Sequence, residues 1–221
     1  MEDANRRIVV KGIGKISLPP DQVVLDMTLE IIDLDYDESM RRATDLLDAL
    51  REAIKSAGHE GKMLKTIKFD VDTRYEKRRV DELWEHCFLG YVCTHILQLK
   101  FALDARMLSL TLGKIAESNT NPDLTIRFSV KDPNAASEKI LESAVEDAKR
   151  KAGVLAQSAN VSLGCIENIN YDWDDLFLYS RSEMKTAQGL SPDVVKYKKA
   201  FDIEPDDIAL SDTVTVVWAI A

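Results

Sequence analysis

The residues able to do chemistry in this chain are few and scattered. His86, Cys87, Cys93 and His95 are ligand types that hold zinc. On an extended strand, at about 3.3 Å per residue, Cys87 and Cys93 stand roughly 20 Å apart and cannot share one ion. Only Cys93 and His95 can cooperate, and they would need further ligands from other strands. Core cysteines are the expected reading, because a free thiol packs as a small hydrophobe. A catalytic thiol wants an exposed, electropositive setting beside a base, whereas these thiols sit on apolar faces. Cys165, after Gly164, has no histidine nearby in sequence. Gly12-Ile13-Gly14 invites a dinucleotide-binding reading, but the third glycine is absent and Pro19-Pro20 stands where the phosphate-binding helix should open. A bend or a close strand contact is expected there instead.

Carboxylates pair at Asp70 and Asp72, at Asp172 with Asp174 and Asp175, and at Glu204 with Asp206 and Asp207. Acid/base work needs two carboxyls in unlike environments at a defined separation. Solvated faces and loop charges are the expectation, with the 172–175 cluster kept as a candidate cation site. Lys77-Arg78-Arg79 forms a basic run whose field Glu76, Asp81 and Glu82 largely cancel. No catalytic, cofactor-binding or metal residue is assigned, and the chain is not expected to be an enzyme.

These residues sit in a chain of 221, of which 45% are hydrophobic and 30% charged, the balance of a globular protein. At that length a core forms without disulfides or a structural metal. A net charge of −9 argues against a general nucleic-acid binder, which needs concentrated basic surface. No apolar run approaches the ~20 residues of a membrane span, so no membrane insertion is expected. Three cysteines in apolar contexts, and the lack of an apolar leader core before the first strand, lead to a cytoplasmic expectation.

The elements that must position the candidates follow from periodicity. Residues 8–18 are β-prone and stopped by Pro19-Pro20-Asp21. Val23, Leu25, Met27, Leu29 and Ile31 then alternate with polar residues, and the two strands read as a hairpin. Asp35 caps a helix through Met40, Ala43, Leu46, Leu47, Leu50 and Ile54 that ends at Gly58. Ile67, Phe69 and Val71 face inward on the next strand; Arg74–Glu82 reads as a loop; residues 83–103 form a long strand with a bulge or close approach at Gly90. Asp104 caps a short helix, and Leu124, Ile126, Phe128 and Val130 mark a strand. Asp132-Pro133 opens the longest helix, whose alanine-rich stripe implies close packing on a sheet. Residues 163–173 are extended, 174–210 show no clear period, and 212–220 form a closing strand. The order is ββαββαβαββ, an α+β fold with a mainly antiparallel sheet, helices packed on it and a split β-α-β-β-α-β unit inside. One domain over 1–221 is expected, with 174–210 mobile or ordered by a partner.

Gly12-Ile13-Gly14 with Pro20-Asp21, Thr66 with Phe69 and Tyr75, and Gly90-Tyr91 follow one another in this order. Phe128-Ser129-Val130-Lys131-Asp132-Pro133 leads into a helix carrying Ala144-Val145, Asp147-Ala148, Lys151-Ala152 and Leu155-Ala156, followed by Leu163-Gly164 and Val214-Thr215-Val216. The pattern, spanning nearly the whole chain, resembles the SIMPL-domain family. The resemblance implies an α+β fold, homo-oligomeric assembly in some members, and loose links to oxidative stress or signalling. It implies no agreed catalytic residues.

The long strand is apolar on both sides, with Trp84, Phe88, Val92 and Ile96 opposite the odd-numbered row. A strand apolar on both faces is covered on both, so a homo-oligomer with contacts on this strand is expected, and a further protein partner is conceivable. The alternative is a small-molecule or cation-binding protein with 174–210 as a lid, using Phe177, Tyr179, Tyr197 and Phe201.

Overall fold

The computed structural model describes residues 6–80, 83–171, 178–186 and 204–221. The chain divides into two compact units, a larger one of residues 21–129 and 182–205 and a smaller one of residues 1–20, 130–181 and 206–221.

In the larger unit, β2 (Gln22–Asp33) alternates buried and exposed side chains along most of its length, as its sequence period requires. Helix α1 (Tyr36–Ser56) opens where the Asp35 carboxylate accepts the Glu38 N–H at 3.0 Å. It closes in a Schellman motif: Gly58, at φ 97°, donates to the Lys55 carbonyl and His59 to that of Ile54. After a 3-10 turn come β3 (Leu64–Val80) and β4 (Leu83–Ala102). Helix α2 (Ala105–Glu117) is capped by Asp104, which accepts from Arg106 and Met107, and β5 (Asp123–Ser129) completes the split β-α-β-β-α-β unit. The sheet runs β3-β4-β2-β5, with β7 (Tyr179–Thr186) at the β5 edge. Leu25, Met27, Leu29, Leu50, Ile54, Leu97, Leu99, Leu108, Ile115 and Phe128 fill the core at 2% exposure or less. Each such side chain contributes about 1.5–3 kcal/mol by leaving water.

In the smaller unit, β1 (Arg7–Leu18) pairs antiparallel with β8 (Ile208–Ile220), and β8 with β6 (Leu163–Tyr171). Helix α3 (Pro133–Ser158) lies on this three-stranded sheet, with Asp132 as its cap. Its buried stripe is Ala136, Ile140, Ala144, Ala148, Ala152 and Ala156. The small side chains let helix and strand close up. A Cβ on Gly12 would meet the Ala144 carbonyl oxygen at 2.0 Å, and one on Gly14 that of Ile140 at 2.2 Å. A polar row on α3 serves the free edge of β1: Asp147 accepts the Ile13 N–H at 2.9 Å, Ser143 that of Lys15 at 3.4 Å, and Lys151 donates to the Lys11 carbonyl at 3.1 Å. Side chains thus occupy groups that would otherwise recruit another strand.

The fold is α+β in the expected element order, with one added strand. β7 arises inside the 174–210 stretch that showed no period. Four expectations are corrected. β1 and β2 are not a hairpin, and there are two sheets rather than one, because β1 pairs with β8 while β2 pairs with β4 and β5. Two successive prolines, lacking N–H donors and with φ fixed, separate the strands instead of turning one back on the other. Residues 74–80 are strand, not loop. Ile67 does not face inward: it is the extra residue of a bulge between Thr66 and Lys68, and it is exposed.

Candidate functional site

β4 outruns its neighbour. Its pairing with β2 ends at Asp33 opposite Tyr91, whereas its pairing with β3 continues to Val80 opposite Leu83. Past Tyr91 the two strands form a ribbon that β2 no longer flanks.

Gly90 decides what this ribbon displays. It adopts φ 144°, and a Cβ there would lie 2.4 Å from the Asp33 carbonyl oxygen, so both a bulge and a close backbone approach occur. Arg74 faces Gly90 and Tyr75 faces Phe88, leaving Leu89 as the extra residue. One inserted residue inverts the side-chain alternation. Trp84 and Phe88, expected opposite the core row, therefore lie on the same face as Tyr91, Cys93 and His95, beyond the core. Cys87 and Leu89 pass to the face shared by Val92 and Ile96. Val92 is buried and Ile96 half-buried.

The result is a chain of rings on one face. Tyr36, at the start of α1, meets Tyr91 at 5.5 Å; Tyr91 meets Phe88 at 5.3 Å; Phe88 meets Tyr75 at 5.5 Å, all edge-to-face at 62–85°. Trp84 continues the face and is 69% exposed, with Tyr75 at 55% and Phe88 at 39%. Lys77 and His86 stand opposite each other between these rings. On the other face Arg74 pairs with Glu30 at 2.7 Å, a hydrogen bond that holds the Glu30 carboxyl below its usual range, and Arg78 pairs with Glu76 at 3.2 Å. The basic run Lys77-Arg78 thus alternates across the ribbon; the Arg79 side chain lies outside the described residues.

The other candidates are dispersed. Cys93 is fully buried, its Sγ 3.4 Å from Ser39 Oγ and 3.7 Å from Met40 Sδ on α1. His95 Nε2 is engaged by Thr66 Oγ1 at 2.9 Å, and burial, then the charge of Arg51, pushes its pKa down. Cys87 is half-buried and Cys165 exposed on β6. Gly12 and Gly14 serve the contact with α3. Asp70 pairs with Lys68, Asp207 accepts from Ser17 Oγ at 3.0 Å, and the Asp206 carbonyl accepts from Ser180. Among the described residues no three His, Cys, Asp or Glu side chains group to hold a metal ion. Asp172, Asp174, Asp175, Phe177, Tyr197 and Phe201 lie outside the described residues; Tyr179 is half-buried on β7. Sequence reasoning passed over His59, which is buried with its Nε2 2.7 Å from Thr111 Oγ1. The signal was its place directly after Gly58, where a helix-ending glycine puts the next side chain against the core.

Comparison with known proteins bears on this arrangement. The family model SIMPL, described as a protein of unknown function (DUF541), matches residues 8–218. The chain belongs to the SIMPL family. A curated relative, the 26 kDa periplasmic immunogenic protein of Brucella abortus (strain S19), is 28% identical over 173 residues, covering 74% of this chain and 66% of that protein. This SIMPL chain therefore spans slightly less than two thirds of the relative's length. The relative overturns the cytoplasmic expectation, since it is named as a periplasmic protein. Apolar settings for cysteines report burial as readily as a reducing compartment, and Cys93 is buried. No helix among the described residues is long and apolar enough to cross a membrane.

Proposed function

We propose that this SIMPL protein is a non-catalytic, self-assembling binding protein, and that copies meet through the aromatic face of the β3–β4 ribbon. The observation that carries the reading is the exposure of Trp84, Phe88 and Tyr75 on one face of a ribbon that β2 leaves unflanked. A two-stranded ribbon alone is marginally stable in water, and a contiguous exposed apolar face is uncommon on a lone subunit. The ring geometry favours a protein partner over a nucleotide or sugar. Rings at 62–85° to one another interlock with side chains but give no flat platform for successive bases. Aromatic residues are also those enriched where protein contacts concentrate their energy. A second copy is the occupant because a ribbon that carries a row of exposed rings on one face can meet its own copy about a two-fold axis. The self-association of some members, implied by the family resemblance, supports the same reading. The periplasmic location of the relative is carried over as part of this proposal.

Light scattering on the purified chain at micromolar concentration tests it. A mass that is a multiple of the chain's own is expected, falling to a single copy in Trp84→Ser/Phe88→Ser. A strict monomer, or a multimer whose mass the double variant leaves unchanged, sinks the reading. Fractionation of cells expressing the natural gene tests the location, and recovery with cytoplasmic markers refutes it.

A further inference from the structure

All three histidines of the chain, His59, His86 and His95, fall within the larger unit, and the smaller has none. Two of them, His59 and His95, are buried at 8% and 6% exposure. Thr111 Oγ1 gives its single proton to the Met107 carbonyl at 2.7 Å, so it accepts from His59 Nε2, which fixes the neutral ring with its proton on Nε2. The ring rests 4.7 Å from Phe101. His59 meets Thr111 from α2, Phe101 from β4 and the closing turn of α1, and burial lowers its pKa. His95 meets Thr66 and Phe69 from β3, with Cys93 two residues along its own strand. From α1 it faces Arg51, itself held by Asp48 at 3.2 Å. Among the described residues no carboxylate acts on either ring. A proton taken up by either enters the core without a counter-charge.

We propose that α1 is an acid-released latch: protonation of His59 and His95 frees it from the sheet of the larger unit while the smaller unit keeps its fold. The two rings are placed for this, one just past the C-terminal end of α1 and the other on β4, which with β2 forms the surface on which α1 packs. The smaller unit resists acid over the same range. Its titratable side-chain ties are carboxylates and none is an imidazole: Glu167 meets Arg7, Asp207 Ser17 and Asp212 Tyr171, while Asp147 is held far below its usual range by Lys151 and the Ile13 N–H and stays ionised where imidazoles charge. Release uncovers Cys93, whose thiol is roofed by Ser39 and Met40 of α1.

The test uses the full chain with Cys87→Ser and Cys165→Ser, so that Cys93 is the one thiol. A dipyridyl disulfide reagent labels it from about pH 7.5 to about pH 4.5, with free cysteine measured alongside to remove intrinsic reactivity. The normalised rate is expected to rise about tenfold or more, with its midpoint below the unfolded histidine pKa of about 6.5. The rise should vanish in His59→Gln/His95→Gln, whose amides can still hydrogen-bond Thr111 and Thr66. Hydrogen exchange of β1 and β8 amides, corrected for pH, should not change over that range. A flat normalised rate, a rise that survives the double substitution, or β8 amides losing protection together with Cys93 overturns the proposal. If the double variant does not fold, each single variant must shift the midpoint downward, and two unshifted midpoints overturn it equally.

Discussion

Substituting alanine for Gly12 should cost the smaller unit far more than a methyl group ordinarily does. The added Cβ would lie 2.0 Å from the Ala144 carbonyl oxygen and 2.7 Å from the Ala148 Cβ, whereas ordinary contact starts near 3.4 Å. The nearest atom is helix backbone, which cannot rotate away, so α3 must retreat by more than an ångström from β1. Retreat loosens the alanine stripe and lengthens the Ile13–Asp147 and Lys15–Ser143 hydrogen bonds together. Overpacking typically costs about 1–3 kcal/mol, and with immovable backbone opposite the new methyl the upper end, about 3 kcal/mol, is expected. Gly153 supplies the control within the same helix. Nothing lies within 4 Å of a Cβ built there, so Gly153→Ala should stabilise by about 0.5–1 kcal/mol through helix propensity alone. Denaturant unfolding of the two variants, followed by hydrogen exchange at β1 and β8, measures both effects. Similar shifts of the same sign, or Gly12→Ala within about 0.5 kcal/mol of the parent, would refute the account of helix–strand contact.

Gly90→Ala should destabilise the ribbon by about 1–3 kcal/mol, because φ 144° is costly for alanine and the Asp33 carbonyl blocks its Cβ; nuclear Overhauser contacts between Phe88 and Tyr91 should weaken with it. Trp84→Ser should leave the midpoint of denaturation within about 0.5 kcal/mol of the parent while reducing assembly, since an exposed side chain holds little fold energy; a large loss of stability would mean Trp84 supports the fold instead. Asp147→Asn should remove a contribution to stability that is present at neutral pH and lost in acid. A carboxyl with lowered pKa stabilises the folded state above the unfolded value of about 3.8 and loses that contribution as pH falls toward the folded one. Stability profiles of parent and variant should therefore converge below about pH 4, and parallel profiles down to strong acid would count against the Asp147 contact.

Local chemistry was legible in the sequence, and pairing was not. Asp35, Asp104 and Asp132 announced their helices, because a cap acts on N–H groups two or three residues away. The alanine stripe of α3 and Gly12-x-Gly14 each implied close approach, though nothing in either said that they approach one another. The β1–β2 hairpin was misread because adjacency in sequence is weak information when β1 finds its partner some two hundred residues later, in β8. Alternation failed at Ile67 and beside Gly90, since one inserted residue inverts every assignment beyond it. That inversion is why Trp84 and Phe88 were placed on the wrong side. β7 carries Ser180, Arg181, Ser182, Glu183 and Lys185, an edge-strand composition with little apolar period to detect. Cys93 and His95 were weighed as a pair of ligands, but Ser39, Met40 and Thr66, far off in sequence, give each a separate partner.

The pairing of β1 with β8 also orders events during synthesis. The split β-α-β-β-α-β unit has all its strands and both helices once Ser129 has left the ribosome, so it can form early from contiguous chain. β1 precedes them in the chain, and although α3 can dock on it once made, it has no strand partner until β8 is made. Closing so long a loop is slow. Among the described strands β1 thus waits longest for its neighbour in the sheet, and until β8 arrives only α3 is there to cover it.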